Sequence, residues 1–176
     1  MNARIMTVAG LAFLLVPAAG AQRKISGTEN CHQPEIVSAT NAGDMEGHIL
    51  AVQKNTCTWT TGMEMEGAKA KDGSGVEFVE IWPTRASSDG TYVGNMDNGD
   101  KFFVSYHGSV TLKDGAPTGP VHGTWSYTGG TGKLKGITGK GTFTATPNPD
   151  GSSEIDVEGD YTIPPPAAPK AATPKP

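Results

Sequence analysis

The sequence predicts an all-β protein built as a single antiparallel barrel, and three observations carry that expectation. Glycine supplies 24 of the 176 residues, about twice its usual share of ~7%. That much glycine suits turns and tight bends and disfavours helices, where each interior glycine costs about 1 kcal/mol. From residue 47 onward, short apolar segments are punctuated by turn signals. Two of those segments alternate with period two. Ile155, Val157, Gly159 and Tyr161 share one face, and Glu154, Asp156, Glu158 and Asp160 the other. Val121, Gly123, Trp125 and Tyr127 stand likewise against His122, Thr124 and Ser126. Such alternation marks strands with one face wet and one in a core. Seven or eight strands at this spacing form a sandwich or a closed barrel. Glycines inside the strands favour the barrel, whose corners must bend.

The elements follow in chain order. Residues 1–21 carry Arg4, an apolar run and the small-residue site Ala19-Gly20-Ala21, the layout of a cleavable signal peptide. Pro17 and Gly20 interrupt the apolar run, which is too short to span a membrane. Residues 22–46 read as an N-terminal segment tied down by a disulfide, and 47–163 as the barrel domain. A first strand is expected over 47–58. Residues 63–71 are the nearest approach to a helix, a turn or two. The next strand, 76–82, is stopped by Pro83. Strands at 91–96 and from 102 flank Asn98-Gly99, a hairpin signal in which both central residues take φ > 0. Asp114-Gly115 and Asp150-Gly151 mark two further turns. Segments 121–127, 139–146 and 154–162 complete the set. The Pro/Ala tail, 164–176, can neither form a helix nor pair in a sheet, and reads as an extended spacer or disorder.

Composition narrows the function classes. The net charge is −4 without a basic cluster, which argues against nucleic acid as a partner. The export signal and the absence of a second long apolar run predict a soluble protein of the periplasm or medium, without stable membrane insertion. The two cysteines, Cys31 and Cys57, are expected to pair in an oxidising compartment. The ring they close, about 27 residues, is worth roughly 3.5 kcal/mol in the chain-entropy model.

The stretch 129–136 (GGTGKLKG) invites a nucleotide reading, but the text after it is strand-forming. A dinucleotide loop must open a helix, and a P-loop needs Gly-Lys-Ser/Thr. A tight β-connection is the plainer reading. The same stretch carries a family resemblance: Trp125-x-Tyr127-x-Gly-Gly-Thr-Gly-Lys-x-x-Gly136-x-x-Gly139-x-Gly141-Thr-Phe143, then Val157-Glu-Gly-Asp-Tyr161, with Asn98-Gly-Asp-Lys101 earlier. It resembles the allene oxide cyclase-like barrels, which group with the dirigent barrels, over residues 47–162 and most closely from 121. The resemblance implies eight antiparallel strands, frequent homo-oligomers and a lumen able to hold an apolar ligand. The shared residues are turn glycines and packed aromatics. The plant cyclases' catalytic residues do not map onto this chain one by one, so cyclase activity is not carried over.

No cofactor or metal is expected. His32, His48, His107 and His122 lack metal-site spacing, Met63-Glu64-Met65-Glu66 is a weak copper signal, and Asp97–Asp100 lacks calcium-loop spacing. Ser74 has no nucleophile-elbow context. Glu77 and Glu80 face opposite ways in a strand. Glu80, on the face of Val76, Phe78 and Trp82, is the weak catalytic candidate: turned inward it would be an acid/base with raised pKa, turned outward a solvated charge. Trp82, Tyr106, Trp125, Tyr127, Phe143 and Tyr161 are the candidate ligand-binding residues, which either line a cavity or fill the barrel. Three functions compete: a non-catalytic binder of a small apolar or amphipathic molecule, a cyclase-type isomerase acting on a lipid-derived or phenolic substrate, and an assembly protein with a filled barrel.

Overall fold

The structure, a computed structural model, describes residues 21–165. The signal reading up to residue 20 and the tail from residue 166 lie outside the described residues. Eleven strands follow one another: β1 (Arg23–Cys31), β2 (Glu35–Asn41), β3 (Ile49–Thr61), β4 (Glu64–Met65), β5 (Ala68–Trp82), β6 (Arg85–Met96), β7 (Lys101–Lys113), β8 (Ala116–Pro117), β9 (Val121–Gly130), β10 (Thr138–Pro147) and β11 (Ser153–Thr162). Eight of them close an antiparallel barrel in the ring order β1-β11-β10-β9-β7-β6-β5-β3, with β3 returning to β1. Strand β2 continues the line of β1 along β3, and the short β4 and β8 pair with β5 and β7.

Residues 22–46, expected as a tied N-terminal segment, supply a stave of the barrel itself. Strand β1 pairs with β11 from Arg23↔Tyr161 to Cys31↔Ser153. Its inward positions are Ile25, Gly27, Glu29 and Cys31, so hydropathy shows no alternation there although the burial alternates. The expected first strand is therefore β3, the third. Residues 63–71 form no helix. They make a tight hairpin of β4 with β5, turning on Glu66 and Gly67 at φ 52° and 76°. Met63, Met65, Ala68 and Ala70 all point into the core, a period-two pattern that the helix-favouring Met-Glu-Met-Glu composition hides.

The Asn98-Gly99 hairpin differs in detail. Only Gly99 has positive φ (87°), and Met96 N–H donates to the Asp100 carbonyl at 2.9 Å. This is a three-residue loop whose last residue is left-handed rather than a two-residue primed turn. Gly151 (φ 83°), with Asn148 N–H donating to the Ser152 carbonyl at 2.8 Å, repeats the design between β10 and β11. Asp114 and Gly115, at 52° and 79°, make the primed turn between β7 and β8.

The glycines inside strands have a packing reason. In an eight-stranded barrel the interior is just wide enough for side chains, and large inward rings lie across glycines one or two strands away. Tyr92 crosses Gly73, Tyr106 crosses Gly90, Phe143 crosses Gly123, and Trp125 crosses Gly141 and Gly159. One end of the barrel is plugged. Leu134 and Ile137, from the glycine-rich connection between β9 and β10, are buried there with Met63, Met65 and Phe102. The Tyr127 hydroxyl donates to the Met65 sulfur at 3.2 Å. The stretch 129–136 is thus a connection whose leucine closes the barrel.

Candidate functional site

The aromatics do not fill the barrel. A cavity of about 300 Å³ runs from Met63 and Phe102 at the plugged end to Pro34, Val110, Val121 and Pro147 at the other. Its wall divides by strand. Strands β7, β9, β10 and β11 contribute Val104, Trp125, Tyr127, Phe143, Ile155 and Val157, an apolar half. Strands β1, β3, β5 and β6 contribute Glu29, Gln53, Asn55, Trp59, Glu77 and Tyr92, a polar half. Tyr106 of β7 reaches across, its hydroxyl accepting from Asn55 Nδ2 at 3.4 Å.

The polar half is hydrogen-bonded in two groups, one around each glutamate. The Tyr92 hydroxyl donates to Glu29 Oε2 at 2.6 Å. Gln53 Nε2 donates to Glu77 Oε1 at 2.7 Å, and Asn55 Nδ2 reaches the same oxygen at 3.5 Å. Among the described residues, the buried Asn55 Oδ1 and Trp59 Nε1 find no partner. Burial pushes the Glu29 carboxyl up to about 7, against the opposing effect of the Tyr92 bond. Burial likewise raises Tyr92, Tyr106 and Tyr127; neighbouring carboxylates add to the rise, Glu29 for Tyr92 and Glu77, then Glu29, for Tyr106. A carboxyl that titrates near neutrality inside an apolar cavity can bind a donor group or exchange a proton.

The structure places the sequence-derived candidates as follows. Tyr106, Trp125, Tyr127 and Phe143 line the cavity together. Trp125 meets Tyr127 edge-on at 5.0 Å, and Tyr106 meets Phe143 at 6.1 Å. Tyr161 is buried but outside the lining, its hydroxyl on Glu66 Oε1 at 3.3 Å. Trp82 sits outside the cavity at the β5–β6 turn, stacked between His48 (5.2 Å) and the Arg85 guanidinium (4.0 Å). Glu80 turns outward, its Oε1 2.9 Å from His48 Nε2, while Asp44 Oδ1 lies 2.6 Å from Nδ1 of the same ring. The Asp44 bond first, and the Glu80 bond after it, raise the His48 pKa. The lumen carboxylate of β5 is Glu77. Hydropathy points the other way because the outer face of β5 carries Val76 and Phe78, 47% and 44% exposed, while its inner face carries Gly73, Gly75 and Glu77. The signal that finds Glu77 is its phase with those two glycines. Glu29, on a strand without hydropathy alternation, had no such signal.

Cys31 and Cys57 form the expected disulfide, facing each other across β1 and β3. Their sulfurs and a Glu29 oxygen lie within 4.8 Å of one another, but cysteines spent on a disulfide offer no thiolate, so the cluster as it stands holds no metal. Among the described residues no helix is long and apolar enough to cross a membrane.

Among proteins of known structure, the chain is similar to a protein of unknown function of the DUF3224 family from Shewanella oneidensis MR-1: 15% identity over 82% of this chain and 99% of that one, TM-score 0.48. It is also similar to a pterocarpan synthase dirigent protein, with 11% identity over 81% and 91%, TM-score 0.47. A conserved protein of unknown function from Rhodopseudomonas palustris gives 16% identity over 80% and 98%, TM-score 0.43. No family model and no curated protein matches the sequence. What the barrel can hold therefore rests on its own residues.

Proposed function

We propose that the barrel is an exported, soluble binding module that holds one small molecule in its lumen, an apolar body with one polar end. The observation that carries this is the cavity of about 300 Å³ with an apolar half and a hydrogen-bonding half, within the size range and chemical make-up of small-molecule sites. The signal-like N-terminus and the Cys31–Cys57 disulfide support export. Native mass spectrometry of the mature protein, gently purified from its own exported fraction, tests the binding. The expected spectrum shows an added mass that leaves on organic extraction, and the same spectrum reports any oligomer. Replacing Ala145 at the cavity wall by Trp should abolish the added mass while far-ultraviolet circular dichroism stays unchanged. An adduct retained by a folded Ala145→Trp protein would place the ligand elsewhere.

An isomerase-type proton transfer is the second reading, favoured by one observation: Glu29 lies near 7 with the Tyr92 hydroxyl on it, the range in which a general acid/base works best. Turnover lost in Glu29→Gln with the adduct still bound would move the protein into that class.

A further inference from the structure

We propose that the lumen selects an organic cation, an apolar or aromatic body carrying one ammonium group seated against Glu29 and Glu77. This rests on the lumen being a binding site. Glu29 and Glu77 face the cavity at only 6% and 9% exposure, and among the described residues no lysine or arginine lines it, His32 being the one basic side chain in the wall. An anionic head would meet two carboxylates where water screens poorly, and attraction to a cation is strengthened for the same reason.

The hydrogen-bond inventory agrees. In the polar half, donors turn to the two carboxylates: the Tyr92 hydroxyl to Glu29 at 2.6 Å, and Gln53 Nε2 and Asn55 Nδ2 to Glu77 at 2.7 and 3.5 Å. Each carboxylate keeps a second oxygen, and among the described residues Asn55 Oδ1 is buried without a partner. A head that serves these oxygens donates hydrogen bonds, and an ammonium group offers three donors and no acceptor. The opposite half presents the rings of Trp125, Tyr127 and Phe143, whose electron-rich faces attract a cation in addition to packing its hydrocarbon.

Three probes of nearly one size separate the chemistry: 2-phenylethylamine, 2-phenylethanol and phenylacetate, each titrated into the full mature protein by calorimetry at pH 8. The amine should bind at least tenfold more tightly than the alcohol, and phenylacetate more weakly than either. Glu77→Gln should shrink the amine-to-alcohol ratio about tenfold. Equal affinity for amine and alcohol, or tightest binding of phenylacetate, would overturn the cation reading and leave the binding lumen standing. A native adduct without a basic nitrogen would do the same. Failure of all three probes, together with a bare native spectrum, would overturn both readings. The wild-type comparison decides even if the Glu77 variant does not fold.

Discussion

Glu29 sets the pH behaviour of the molecule at the level of single residues. Its folded pKa of about 7 lies above the ordinary carboxyl value of 4.5, so the folded state holds this proton more tightly than the unfolded chain does. Its contribution to stability is complete below about pH 4.5 and is lost as pH rises through 7, at a cost of about 3 kcal/mol. Glu29→Gln should thus be more stable than the parent at pH 8 and nearly equal to it at pH 4.5, measured by urea unfolding at both values. A pH-independent difference between the two proteins would count against a buried, proton-holding Glu29. Gly159 makes the second residue-scale case. A Cβ there would overlap the Trp125 ring and stand about as close to the Lys140 carbonyl. Gly159→Ala should cost about 1–3 kcal/mol, as overpacked cores do, seen as a lowered midpoint of thermal unfolding. At this scale the apolar half of the lumen was legible. Trp125, Tyr127 and Phe143 stand in strands whose alternation or glycine phasing is plain in the sequence. Glu29 and Glu77 were not, because each sits on a strand face that hydropathy assigns the wrong way or not at all.

At the scale of elements, the weakest closure is between β1 and β3. Only four residue pairs join them, Thr28↔Thr61 to Cys31↔Cys57, with a register shift after Thr28. By contrast, β5 and β6 share twelve pairs from Ala70↔Met96 to Trp82↔Arg85. The disulfide fastens this short seam at its end. Cys31→Ala with Cys57→Ala should lower unfolding stability by roughly 2–5 kcal/mol, and urea titration with and without reductant would read the loss. A change much below that range would mean the seam holds without its staple. Six of the eight barrel strands were visible as apolar segments between turn signals, and β3 made a seventh. Strand β1 was not, since a glycine, a glutamate and a cysteine occupy three of its four inward positions. Turn chemistry located the hairpins at Asn98-Gly99, Asp114-Gly115 and Asp150-Gly151 but missed the one at Glu66-Gly67, and it left the first one's type open because Asn98-Gly99 fits both a two-residue and a three-residue loop until the strand register is known.

The whole molecule divides its interior along the chain. The polar half of the cavity comes from β1, β3, β5 and β6, and the apolar half from β7, β9, β10 and β11. An N-terminal portion therefore brings the hydrogen-bonding groups and a C-terminal portion the hydrophobic ones, and only closure places them around one space. That closure joins the first strand to the last, with Arg23 opposite Tyr161. The two chain ends must find each other across the whole intervening sequence, a contact of the kind that slows folding most. During synthesis β1 has no permanent neighbour on that side until β11 has been made, and an incomplete chain presents two open sheet edges, the surfaces through which β proteins aggregate. The barrel is in this sense an all-or-nothing object. A chain truncated before residue 153 loses more than one strand, because it loses the ring, and with it the only arrangement in which the lumen exists.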